Sequence, residues 1–342
     1  MSAAKTTVRN VTWYRNLISS RYAIALVMIL CLFAPELKSS VSDVRFDDAV
    51  RWILSPAREA VQYDYVMTAK VRLLLFWVGA DDVGGGFIRR STSASDPNIR
   101  QIQVLFGSDP AKAPRHINHW GAATEAVNGN SSAFLGFMKS TKADSAAAAE
   151  AEARKQTDQA THAFEAILSV AQDGQALSKR APLLFDTDFN LYQLEQAQGL
   201  AIQRLKDDLR PRQLAAPELQ CNSSRGFLQA VDELIALALT NDSSARRSLC
   251  YVYNAKNYTL TMDDRSRVGS KTVKVQRKNN TKLEKTYRDL VNARFSVLNQ
   301  TTREVTNFEL LLGTSGDLRG VPVQIIHQPN WWFQVVLNLD PK

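Results

Sequence analysis

QYDYVMTAKVRLLLFWVGADDVGGGFIRR, Gln62–Arg90, is the stretch on which the fold turns. Its odd positions Tyr63, Tyr65, Met67, Ala69, Val71, Leu73, Leu75 and Trp77 are apolar, while Asp64, Thr68, Lys70 and Arg72 share the other parity. A period of two belongs to a strand. From Leu73 onward both parities are apolar, which predicts cover on both faces there. Gly84, Gly85 and Gly86 tolerate the backbone angles of a reversal, with Asp81 or Asp82 bonding nearby amides. Three glycines exceed the needs of a two-residue turn, so a bulge or the close approach of another backbone is expected as well.

The same residues argue against a nucleotide site. Gly84 and Gly86 begin a G-x-G-x-x-G pattern, but Arg89 stands where the last glycine belongs and FIRRSTSASD does not open a helix. No G-K-S/T follows, Asp81 and Asp82 would repel a phosphate, and the alternating oxygen ligands of a calcium loop are missing.

Upstream, Lys5, Arg9, Arg15 and Arg21 precede the apolar run YAIALVMILCLFA, residues 22–34, with no acidic residue before Glu36. Thirteen residues make a helix of roughly 20 Å, too short for a ~30 Å hydrocarbon core. The pattern is that of a secretory signal peptide, with a retained anchor as the alternative. Its removal takes four of 42 basic residues and none of 34 acidic ones, leaving a net +4. That is too mild a charge for a nucleic-acid partner. It also leaves Cys221 and Cys250 as the one remaining cysteine pair, a disulfide candidate in an oxidising compartment.

Downstream, SDVRFDDAVRWILSPAREAV carries a short helix ending near Ser55 and Pro56, and IRQIQVLF (99–106) is a strand. KADSAAAAEAEAR (142–154) is rich in helix formers, and AFEAILSVAQDGQALSKRAPLL reads as a hairpin turning at Asp173 and Gly174. Helical spacing over 187–209 and from Phe227 to Ala238 gives a helical middle, after which CYVYNAKNYTLTM, ARFSVLN, TNFELLLG, VPVQIIH and WWFQVVLNLD return to strands. The expected class is α+β, two β-rich antiparallel parts flanking a helical middle segment. Its parts are a signal peptide or N-terminal anchor (1–40), an N-terminal β-rich domain with an Ala-rich helix (41–185), the helical segment (186–240) and a C-terminal antiparallel β domain (241–342).

Three groups of residues are candidates for function. HINHW places His116 and His119 three apart, where one helix face could hold a metal with Asp109 or the Asp81–Asp82 pair; two histidines are too few to assign one. In NWWFQVVLNLD the odd positions from Trp331 face a core, leaving Trp332 beside Gln334, Asn338 and Asp340 as a candidate ligand or partner surface. Arg265–Arg288 holds nine basic residues and one acidic one, Glu284; in TVKVQRK the charges alternate with apolar residues as on a solvated strand face, which could also meet an anionic membrane surface or polysaccharide. No cofactor is implied.

DDVGGGFIRR, PRHINHWGAATE and VPVQIIHQPNWWFQVVLNLD together resemble a group of uncharacterised exported proteins of acidobacterial genomes, over about Tyr63 to Asp340. The resemblance implies a bacterial envelope setting and transfers no catalytic residue. The leading expectation is an exported, non-catalytic protein that binds a ligand or envelope partner through its β-rich parts. The rivals are a hydrolase with a site near Asp81, Asp82, His116 and His119, and an envelope assembly component anchored by residues 22–34.

Overall fold

The computed structural model describes residues 51–73, 76–129, 131–139, 162–172, 175–185, 190, 193, 198–203, 212–213, 225–240, 247–253, 256–277, 279 and 281–341. The leader, the Ala-rich segment 142–154, most of 187–209 and Cys221 lie outside them.

The helix before Ser55 is present over 51–54. Strands β1 (Ala57–Leu73), β2 (Phe76–Ser93), β3 (Ile99–Ser108), β4 (Trp120–Asn128) and β5 (Ser131–Lys139) follow. Then come β6 (His162–Gln172), β7 (Gln175–Phe185) and the short β8 (Arg212–Gln213). Helix α1 (Phe227–Ala238) precedes β9 (Arg247–Tyr253), β10 (Lys256–Gln276) and β11 (Lys282–Asn299). The last strands are β12 (Val305–Gly313), β13 (Pro322–Asn330) and β14 (Phe333–Leu339).

All fourteen belong to one antiparallel sheet, ordered β8-β7-β6-β5-β4-β3-β2-β1-β14-β13-β12-β11-β10-β9. This overturns the α+β expectation. The two β-rich parts are halves of one sheet joined where β1 pairs with β14, Tyr65 against Leu339 through Val71 against Phe333. The sheet curls into a nearly closed barrel. Across the curl, the Phe134 ring of β5 meets Tyr253 of the edge strand β9 edge-on at 5.1 Å. Helix α1 is not a layer of its own but packs onto the sheet, burying Leu228, Ala230, Leu234, Ile235 and Ala238. A single amphipathic helix cannot cover a sheet of this width, so the strands must cover one another by curling.

Two clusters of buried side chains show how the curl is filled. Leu234, Ile235 and Ala238 of α1 meet Leu260, Met262, Phe295 and Leu312. The far half of the β10–β11 hairpin sends Val273, Val275, Tyr287 and Leu290 against Tyr65, Val66, Val83 and Leu337. Between Val273 and Val275, Lys274 faces outward and meets Glu284 at 3.2 Å, so this part of the basic stretch is the solvated face of a hairpin whose other face is core.

The glycine stretch also departs from expectation. The chain reverses between Leu73 and Phe76, not at the glycines, and β2 runs straight through them. Opposite β1, Gly84 pairs with Met67 and Ala80 with Ala69, so Asp81, Asp82 and Val83 face Thr68 alone. The glycines therefore follow a bulge inside a strand. Asp82 takes the left-handed φ of 50° that aspartate tolerates better than most residues. The apolar end expected to be covered on both faces is open: Trp77 is 39% and Val78 53% exposed.

Candidate functional site

The bulge carries a buried charge cluster. Asp81 accepts a hydrogen bond from the Thr68 hydroxyl at 2.8 Å, which closes the bulge against β1. Asp82 is buried and takes Lys112 Nζ at 3.2 Å and Arg277 Nη1 at 3.7 Å on the same oxygen. Lys112 also lies 3.7 Å from buried Asp109, and Arg277 Nη2 donates to Asp340 at 2.6 Å. Asp109 Oδ1 accepts from the Ala111 amide, ordering the loop before β4. The cluster thus ties β2, the β3–β4 loop, the end of β10 and the residue after β14. Buried carboxylates with paired cations are what a structural clamp requires.

The histidines fall on a different set of contacts. His116 is exposed, at the end of the short 3-10 turn Pro114–His116, with Nδ1 2.9 Å from the Pro110 carbonyl. His119 precedes β4, and its main chain is held by Ser108 through amide and carbonyl. The described bonds spread Asp81, Asp82, His116 and His119 over separate partners, and among the described residues no three His, Cys, Asp or Glu side chains gather to hold a metal. The tryptophans exchange the places expected of them. They form the turn between β13 and β14, where the period of two does not apply, so Trp331 is 66% exposed while Trp332 is buried with its ring 5.5 Å from Phe333. Cys250 sits half-buried in β9; Cys221 lies outside the described residues.

Sequence reasoning missed Glu125. It lies on β4, fully buried, and its two oxygens accept the amides of Leu228 and Gln229 at 2.9 Å each. These are orphan donors at the start of α1, whose own first residues offer no side-chain cap. A Cβ on Gly226 would lie 2.5 Å from the Glu125 carboxyl, so the glycine is there to admit a cap from another strand. Burial pushes the Glu125 carboxyl up to about 7, against the two amides that lower it and with nearby Asp232 adding to the rise. Arg90 to Asp232 at 2.7 Å and Arg225 to Glu233 at 2.9 Å fasten the same helix from its sides. No local pattern marks this residue: WGAATEAVN shows one glutamate in an otherwise ordinary strand.

Among the described residues, a cleft of about 640 Å³ opens where β10, β11, the β12–β13 loop and the end of α1 meet. Arg265, Arg267 and Arg319 line it, with Asp289 as the only acidic lining residue. Arg319 is steadied by donating from Nη1 to the Thr314 carbonyl at 3.0 Å, and Thr314 is in turn held by Asp289, whose carbonyl accepts the Thr314 amide at 3.2 Å. Arg265 Nε is buried with no hydrogen-bond partner among the described residues. The arginines are not needed to finish the helix. The last carbonyls of α1, on Ile235, Ala236 and Leu237, already accept the Leu239 and Thr240 amides.

No family model matches this chain, and no curated protein does. Among solved structures it is similar to a β-barrel-like protein of a domain of unknown function, DUF1849, from Brucella abortus. That likeness has a TM-score of 0.41 at 9% identity, covering 83% of this chain and 98% of the other.

Proposed function

We propose that this is an exported, non-catalytic envelope protein that binds an anionic ligand in the arginine cleft. The observation that carries the reading is the buried, unpartnered Nε of Arg265 beside two further arginines. A buried guanidinium N–H without an acceptor is costly, and a carboxylate or sulfate group supplies the missing acceptor in the geometry that guanidinium favours. Arg265 and Arg267 bring the start of the basic stretch Arg265–Arg288 into the cleft, and Arg319 adds a third cation from the β12–β13 loop. An acidic polysaccharide, with one anion per sugar, fits an open cleft better than a single small ion does.

Titration calorimetry with a uronic-acid oligosaccharide tests this. Arg265→Ala and Arg319→Ala should each weaken binding by roughly tenfold to a hundredfold, the worth of one charge-assisted hydrogen bond. Arg265→Lys should not restore it, since lysine lacks the planar fork. Equal affinity for a neutral oligosaccharide of the same length would remove the anionic reading.

Export is supported by the basic residues and short apolar run of the leader. It goes with a Cys221–Cys250 bond, which would pin the segment before α1 to β9 beside the Val252 amide that donates to the Arg225 carbonyl. Mass analysis of the recovered protein without reductant should show that bond, and reduction should lower stability by roughly 3 kcal/mol for a loop of this length. Two free thiols would end the pairing.

A further inference from the structure

We propose that the end of the sheet made by the β1–β2 hairpin and the β13–β14 turn is a docking surface for an anionic lipid bilayer. Trp77 pairs with Arg72 across the hairpin, and the Arg72 amide donates to the Trp332 carbonyl at 2.8 Å. Trp77 and the Trp331–Trp332 turn therefore flank Arg72 from both sides. Trp77, Val78 and Trp331 are all exposed large apolar side chains, gathered at this one end.

Trp77 and Val78 are consecutive strand residues, so they point to opposite faces of the sheet. Both are exposed. A folded partner with a flat surface covers one face; a fluid interface surrounds both. Tryptophan is also the side chain that settles at the headgroup level, with its apolar ring inward and its N–H in the wet layer.

Charge points the same way. The segment Lys70–Ala80 carries the half-exposed Lys70 and Arg72 and no acidic residue, so its charge has the sign that an anionic headgroup layer attracts. The edge of the strand limits the depth. Pairing of β2 with β3 begins only at Gly84, which leaves the outer edge of the preceding residues without a neighbouring strand among the described residues. Open backbone groups are excluded from the hydrocarbon core, so the tip rests in the headgroup layer and does not span.

This surface is separate from the arginine cleft, and the two fail separately. The full chain is mixed with vesicles of phosphatidylglycerol and phosphatidylcholine, or of phosphatidylcholine alone, and the bound fraction is measured by sedimentation. The parent should prefer the anionic vesicles, with a blue shift of tryptophan emission. The combined variant Trp77→Ser, Val78→Ser, Trp331→Ser should partition at least tenfold less while its circular dichroism and oligosaccharide binding stay unchanged. Arg265→Ala should keep vesicle binding. Unchanged partitioning of the triple variant overturns the proposal, and so does a dimer in solution that the triple variant dissolves, since the tip would then meet a second copy of the chain.

Discussion

Glu125→Ala is expected to lower the unfolding free energy by about 3 kcal/mol near pH 5, a large share of the stability of a domain this size. The loss has two sources. The amides of Leu228 and Gln229 lose their acceptor, and the Leu228 bond is buried, so water does not readily replace it. The removed side chain also leaves a hole at a fully buried position. Because Gly226 offers no side chain of its own, the helix start has no second cap to fall back on. Chemical denaturation followed by circular dichroism reads the effect, and a midpoint within error of the parent would show that the cap is idle.

Glu125→Gln separates the proton from the packing. In the fold the carboxyl holds its proton up to about pH 7, whereas in the unfolded chain it releases it near the ordinary value of 4.5. The contribution of this group is therefore full below pH 4.5 and is lost as pH rises through 7. Over that window the parent should lose on the order of 3 kcal/mol that the glutamine variant does not. Among the described residues, Asp232, paired with Arg90, and Tyr251 couple electrostatically to it, and neither is removed by the substitution. Parallel pH profiles for parent and variant would mean that Glu125 carries no buried proton.

Local period was enough for much of the strand content. The hairpin read over AFEAILSVAQDGQALSKRAPLL appears as β6 and β7, and IRQIQVLF, CYVY and the four C-terminal strands are present, with β11 beginning well before ARFSVLN and β14 only at Phe333. What alternation does not carry is the partner of each strand. The β1–β14 pairing joins residues about 270 apart in sequence, and without it two β-rich parts look like two bodies. The same limit hides the candidate site. Arg265, Asp289 and Arg319 come from three elements, and Glu125 serves a helix 103 positions away. Trp331 and Trp332 mark the opposite limit: a period of two does not hold through a turn, so Trp331 is exposed and Trp332 buried, the reverse of what the strand's alternation predicts.

Gly85→Ala and Gly86→Ala should each cost more than about 3 kcal/mol, enough to lose soluble, folded protein. A Cβ on Gly85 would overlap the Tyr65 carbonyl of β1, and one on Gly86 would overlap the Leu105 carbonyl of β3. Both obstacles are backbone in paired strands, which cannot rotate away as a side chain can. Gly86 also sits at φ 153°, outside the range that L side chains adopt readily. The glycines let the bulged strand pass close to both neighbours just where Asp82 turns inward to meet Lys112 and Arg277, so strain there opens the clamp as well as the sheet. Gly121→Ala on β4 is the control: open space surrounds that position, and the change should stay within about 0.5 kcal/mol. Thermal melts of the three variants decide the matter. If Gly85→Ala and Gly86→Ala both melt with Gly121→Ala and the parent, the close approach of β1 and β3 to the bulge is not what these glycines are for.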